Sequence, residues 1–211
     1  TATNYLKGLN IPYENYASAF LAVMESPAII VGVVLGKLNL NRESLFQSRS
    51  LGPILHEAVL GRSVFMLVGA LVVGALCGQA GMNKVEPFFV APFQGVLALF
   101  LLEMGIVAGG RLKELKKAGP FLVLCGILLP LVHGFLGILI GKYTGLSLGG
   151  TTLMGVLAAS ASYIAAPAAI RLSLPEANPA LYLTSSLAVT FPFNVTLGIP
   201  IYYSVARFLF E

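Results

Sequence analysis

Charge is what this sequence has least of. Among 211 residues there are 13 Lys or Arg and 9 Asp or Glu, so charged side chains make up 10%. A soluble domain carries roughly 25%, and a globule of this length needs that polar shell to stay in water. The hydrophobic fraction is 57% and the mean hydropathy is +0.87, which excludes a disordered chain for the opposite reason. The remaining solvent is lipid. Cysteine is also scarce. Cys77 and Cys125 sit in apolar runs without metal-ligand spacing, and both read as small packing residues. There is no HExxH, Walker A loop, Cys/His cluster or nucleophile–base constellation, so an enzyme is not expected. The net charge of +4 does not point to nucleic acid, because in a membrane chain the place of the basic residues matters more than their sum. Thr1 to Asn10 is polar and lacks the apolar segment of a signal peptide.

What is present is a series of apolar runs. They lie at about Tyr13 to Leu35, Ser63 to Gln79, Phe93 to Gly110, Phe121 to Gly141, Gly149 to Ile170 and Leu181 to Phe208. At about 20 residues per span these are six crossings of a bilayer. Outer-membrane strands would alternate apolar and polar residues. These runs do not, so helices are expected. If the helices alternate in direction, one side receives Lys37, Arg42, Arg49, Arg62, Arg111, Lys113, Lys116, Lys117 and Arg171. The other receives only Lys7, Lys84, Lys142 and Arg207. The excess places the two basic loops in the cytoplasm.

An internal repeat follows from the same map. Leu21-Ala22-Val23 precedes Gly32 with Pro27 between them, and Leu187-Ala188-Val189 precedes Gly198 with Pro192 between them. Ile11-Pro12 likewise parallels Leu174-Pro175. The first span runs inward and the sixth outward, as matching segments of an inverted-topology repeat do. The sixth span closes a set of five. The first span should therefore close another set of five, whose earlier four helices would precede this chain. The expected organisation is the end of a first repeat in residues 1–36, a cytoplasmic linker in 37–62, and a second five-helix repeat in 63–211. The alternative is an independent six-helix protein with a chance repeat.

Polar residues inside the spans are where chemistry is expected. The fifth span carries Ser160, Ser162, Tyr163 and Ile164 just before Pro167. Proline removes a backbone donor. A helix interrupted near 149–171 would present free N–H and C=O groups at the midplane, tolerated where they line a cavity. Freed carbonyls with the hydroxyls of Ser160 and Ser162 suit Na⁺, and an N-terminal half-helix end suits an anion. The structural alternative is a kinked, packed helix whose serines bond to their own backbone. Glu25, followed by Ser26 and Pro27, lies mid-span, where a carboxylate costs about 3 kcal/mol on insertion scales. It points to cation coordination or proton coupling, or else to a neutral acid that fixes a kink. Glu103 lies nearer the interface, eight residues before Arg111, and reads as a structural pairing residue or a coupling residue, and His133 reads as a helix-contact residue or a proton relay. Thr190 and Asn194 share a face of the sixth span. Asn194 needs partners in lipid, either at the break in the fifth span or in ordinary interhelical hydrogen bonding between packed helices.

With these residues in view, the chain resembles the sodium-dependent bicarbonate transporter family of permeases. The likeness rests on Met24-Glu25-Ser26-Pro27-Ala28-Ile29, Leu101-Leu102-Glu103-Met104-Gly105, Pro130-Leu131-Val132-His133-Gly134, the stretch from Ser160 to Pro167, and Pro175-Glu176-Ala177-Asn178-Pro179. The resemblance implies an all-α polytopic fold of two inverted five-helix halves, with interrupted fourth and ninth helices crossing near the midplane. It implies Na⁺-coupled uptake of bicarbonate by alternating access across a bacterial inner membrane, with Na⁺ as coupling ion and no cofactor. Homotrimers are implied too, and in some members a small regulatory partner related to PII proteins, bound through an insertion longer than the loop from Lys37 to Arg62. Carbon-concentrating members show Ser-Ser-Ser-Asp where this chain has Ser160-Ala161-Ser162-Tyr163, so tyrosine replaces the acid. The rival expectations are a Na⁺/H⁺ exchanger or organic-anion symporter on a similar scaffold, and a non-transporting membrane scaffold or sensor with an unbroken fifth helix.

Overall fold

The apolar runs fold as helices, and among the described residues there is no strand. The structure is a computed structural model that describes residues 1–40, 62–162 and 165–211. In chain order it contains α1 (Ala2–Gly8), a 3-10 turn (Asn15–Ser18), α2 (Ala19–Leu40), α3 (Arg62–Phe89), α4 (Phe93–Tyr143), α5 (Leu148–Ala158), α6 (Ala165–Ser173) and α7, which runs from Pro179 to Phe210. Among the described residues four stretches are long and apolar enough to cross a membrane: Asn15–Gly36, Phe93–Gly110, Gly119–Tyr143 and Pro179–Phe210. They correspond to the first, third, fourth and sixth expected spans. The expected second span lies in α3 but is not one of the four. The expected fifth span is divided between α5 and α6.

Glycine and proline set the divisions. Gly119 leaves helical geometry at φ 78°, ψ 162° and is followed by Pro120, so α4 is two rods joined at that point. Only glycine adopts such a φ/ψ pair without a steric penalty, and proline cannot supply the next helical donor. Pro192 and Pro200 in α7 have a different effect. The helix does not stop but widens into π turns at Ser185–Thr190 and Asn194–Gly198. A π turn moves each acceptor one residue further along, which accommodates a missing donor inside a continuous span.

Packing is densest around α5. A Cβ at Gly137 of α4 would meet Ala158 Cβ at 2.6 Å and Met154 O at 2.8 Å, so the two backbones nearly touch. Small residues give this approach where lipid supplies no hydrophobic drive between helices. One buried cluster joins Ile138 of α4, Ala159, and Tyr202 and Ala206 of α7. A second joins Ile29 and Val33 of α2 to Ala169 of α6. A third joins Leu6, Ala17 and Leu153, so α1 and the 3-10 turn lie on α5. Away from these contacts the helices expose Leu76, Phe88, Leu99 and Ile106, an apolar surface suited to lipid. Cys77 is part of that exposed surface rather than a packing residue, while Cys125 is half-buried; neither is paired.

Candidate functional site at a broken helix

The centre of interest is the gap between α5 and α6. Ser147 caps the start of α5, its hydroxyl accepting from the Gly150 N–H at 3.1 Å. The helix ends at Ala158, and Ala159 to Ser162 are not helical. The helix resumes at Ala165, and Ser162 Oγ accepts the Ala166 N–H at 3.0 Å. That hydroxyl therefore satisfies one of the donors left free at the start of α6. The unbroken helix expected of a scaffold is not what the chain forms.

Two neighbouring helices reach this gap. From α2, Glu25 is half-buried, and its Oε1 accepts from the Ser162 hydroxyl at 3.1 Å. From α7, Asn194 is 8% exposed and donates through Nδ2 to Ala159 O at 2.7 Å. Its Oδ1 accepts from the Tyr202 hydroxyl at 2.9 Å. One level further along α7, Thr190 donates to Gly126 O of α4 at 2.8 Å. The expectation that Asn194 would find its partner at the break is met, and so is the pairing of the intramembrane acid with something polar.

The remaining expected residues are distributed differently. Ser160 is exposed and its hydroxyl donates to Val156 O at 2.8 Å, which is the structural alternative for that serine. Ser162 does not follow it. Tyr163 and Ile164 lie outside the described residues, as does the Ser26 side chain. Glu103 and His133 are both exposed on α4, and neither side chain hydrogen-bonds to another described residue; the Arg111 side chain, the partner considered for Glu103, lies outside the described residues. His133 is thus not the satisfied contact residue that its place after Pro130 suggested. Beside the break lies a cavity of about 410 Å³, touched by Ala161, Tyr182, Ser185, Ser186 and Thr190.

Hydroxyl bookkeeping narrows what the gap can hold. A serine has one donor and two acceptor lone pairs. Ser162 directs its donor to Glu25 and one lone pair to Ala166, leaving one lone pair free. Glu25 retains most of its acceptor capacity. Glu25 and Ser162 thus offer free acceptors at the break, as a cation requires. Among the described residues no three His, Cys, Asp or Glu side chains cluster as a transition-metal site would need.

A model of the Na⁺-dependent bicarbonate transporter superfamily matches residues 1–207. The chain belongs to that superfamily. A comparison with curated proteins found no match. As a member of the Na⁺-dependent bicarbonate transporter superfamily the chain is a multi-pass membrane transporter, and the four long apolar stretches among its described residues agree with that.

Two residues of structural weight were missed by sequence reasoning. Tyr202 lies eight residues past Asn194, and the spacing was legible, but the intervening π turn was not. Glu14 precedes α2, and its Oε1 accepts from the Ser147 N–H at 2.7 Å, at the start of α5. Burial raises its carboxyl pKa, but hydrogen bonds from Ser147 and from its own backbone outweigh this and hold it below the usual 4.5. A Cβ at Gly150 would overlap Glu14 Oε2, so glycine there makes room for the acid. No local signal joins positions so far apart in sequence.

Proposed function

We propose that this protein takes up bicarbonate, or a similar small anion, together with Na⁺, by alternating access across a bacterial inner membrane. The observation that carries this reading is the Glu25–Ser162 hydrogen bond across the broken helix, in a chain of the Na⁺-dependent bicarbonate transporter superfamily. An intramembrane acid facing a hydroxyl and free helix ends is the kind of site that secondary transporters use for a coupling cation. In this reading Ser160, Ser162, Tyr163, Ile164, Glu25, Ser26, Thr190 and Asn194 surround the ions. Residues 1–36 and 63–211 belong to opposite halves of an inverted repeat joined by the cytoplasmic segment 37–62, and the working unit is a trimer. A PII-like partner would dock on the cytoplasmic side.

The test is uptake of labelled bicarbonate by the full-length protein in proteoliposomes, with and without an inward Na⁺ gradient. Uptake that ignores Na⁺ would sink the proposal. Glu25 itself favours a second reading, proton coupling in a Na⁺/H⁺ exchanger or organic-anion symporter. Under that reading Glu25→Gln removes the dependence of transport on a pH gradient. Under the first, it raises the Na⁺ requirement and leaves pH-gradient dependence unchanged.

A further inference from the structure

We propose that the cavity beside the break is a water-filled path between the α6–α7 turn and the broken helix, with a polar stripe of α7 as its wall. That ions pass along it rests on the transport reading above; that it is wet does not. The wall comes from one helix. Asn178 caps the start of α7, its Oδ1 accepting the Ala180 N–H at 2.9 Å. Tyr182, Ser186 and Thr190 follow at steps of four residues, with Ser185 beside Ser186, and all five line the cavity. Steps of four drift by about 40° on a regular α-helix. The π turn over Ser185–Thr190 winds less per residue and keeps them closer to one face. The next step is Asn194, which reaches the break through Ala159 O.

The stripe thus connects two places. At one end Pro175, Glu176 and Asn178 of the turn are exposed. At the other, Ala161 lies in the gap itself and also touches the cavity. From Asn178 to Thr190 a helix rises about 18 Å, more than half of a hydrocarbon core about 30 Å thick. Polar side chains at such depth face protein or water, not acyl chains. A space of about 410 Å³ holds roughly a dozen waters. The Tyr182 hydroxyl is buried without a partner among the described residues, and ordered water is the usual partner of such a group. Thr190 and Ser186 direct their donors to Gly126 O and Leu183 O, which leaves hydroxyl lone pairs open.

The wall also decides what can pass. None of the residues that line the cavity is charged. A ring of acids or lysines would select one sign of ion. Hydroxyl and amide groups can donate to an anion and accept from a cation. The path therefore suits small hydrated solutes of either sign, and selection is left to the break, where Glu25 stands.

The experiment places a single cysteine at Ser185, half-buried in the wall, in the full-length protein with its other cysteines replaced by serine. Cysteine differs from serine by one atom, so the fold is kept. Two membrane-impermeant thiosulfonate reagents, one cationic and one anionic, are applied to inside-out and right-side-out vesicles. Both label Ser185→Cys from the face that carries the basic loops, and neither labels Leu99→Cys on the exposed apolar surface of α4. Labelled Ser185→Cys protein then loses bicarbonate uptake in proteoliposomes, while the cysteine-free parent keeps it after the same treatment. No labelling of Ser185→Cys from either face shows a dry cavity and overturns the proposal. Labelling by one sign only, or from the opposite face only, overturns it too, as does full uptake by the labelled protein. If the untreated parent takes up no bicarbonate, the transport reading fails, and the labelling still decides whether the cavity is wet.

Discussion

Ser162→Ala tests cation binding at the break most directly. The substitution removes two hydrogen bonds, the 3.1 Å bond to Glu25 Oε1 and the 3.0 Å bond from Ala166 N. The second is a cap on α6, worth about 1 kcal/mol to the helix. The first is a hydroxyl–carboxylate bond, worth about 1.5–3 kcal/mol, with its length favouring the lower end. If Na⁺ is held by Glu25 and the remaining lone pair of Ser162, its binding loses about 1–2 kcal/mol, a factor of about 5–30 in half-saturation. The assay is initial bicarbonate uptake by the full-length protein as a function of external Na⁺. Ser162→Thr keeps the hydroxyl and should stay within about threefold of wild type. Membrane yield should not change, since the residue is small and only half-buried. A Ser162→Ala protein with wild-type Na⁺ dependence would refute the assignment, because no other serine hydroxyl reaches Glu25 among the described residues.

Further outcomes follow from the packing and from Glu14. Because the Glu14 carboxyl is held below its ordinary 4.5, its contribution to stability is complete above that value and is lost as pH falls through the folded pKa. Glu14→Gln should therefore melt below wild type from pH 8 down to about 5, and the two melting curves should converge in more acid solution. Gly155→Val puts a Cβ 2.5 Å from Ile138 Cγ1 and 3.1 Å from Gly134 O. Overpacking of this kind costs about 1–3 kcal/mol or more, read as a fall in melting temperature that Gly32→Ala, in open space, does not share.

Where the helices lie was legible because composition and punctuation agree. Phe93 to Gly110 is apolar and is followed by basic residues, and one of the long apolar helical stretches of the structure lies there. The break was legible for a similar reason: Ser160, Ser162 and Pro167 together offer side-chain alternatives to backbone hydrogen bonds and then remove one. What was not legible depends on which helices meet. Pro192 reads in sequence as an interruption, yet α7 continues through it because π turns absorb the missing donor. The cost of a full break is avoided by local rewinding, and the sequence carries no separate mark of it. His133 shows the same limit from the other direction. Its position after a proline suggested a contact, but it is exposed on the surface of α4.

The same distinction applies to the chemistry. Residue types alone allowed Ser160 and Ser162 to be equivalent ligands, two apart on one segment. Their positions relative to the break separate them. Ser160 still has the turn of α5 beneath it and donates to Val156 O. Ser162 lies where no turn precedes it, so its hydroxyl is available to cap α6 and to meet Glu25. Ser160 keeps two acceptor lone pairs and Ser162 one, so what separates the two serines is the neighbour each meets: of the two, Ser162 is the one bonded to the Glu25 carboxylate. The same reasoning applies to the two helices that flank the gap. The acid comes from α2, which packs on α6 through Ile29, Val33 and Ala169. The amide comes from α7, which packs on α5 and α4 through Tyr202 and Ala206.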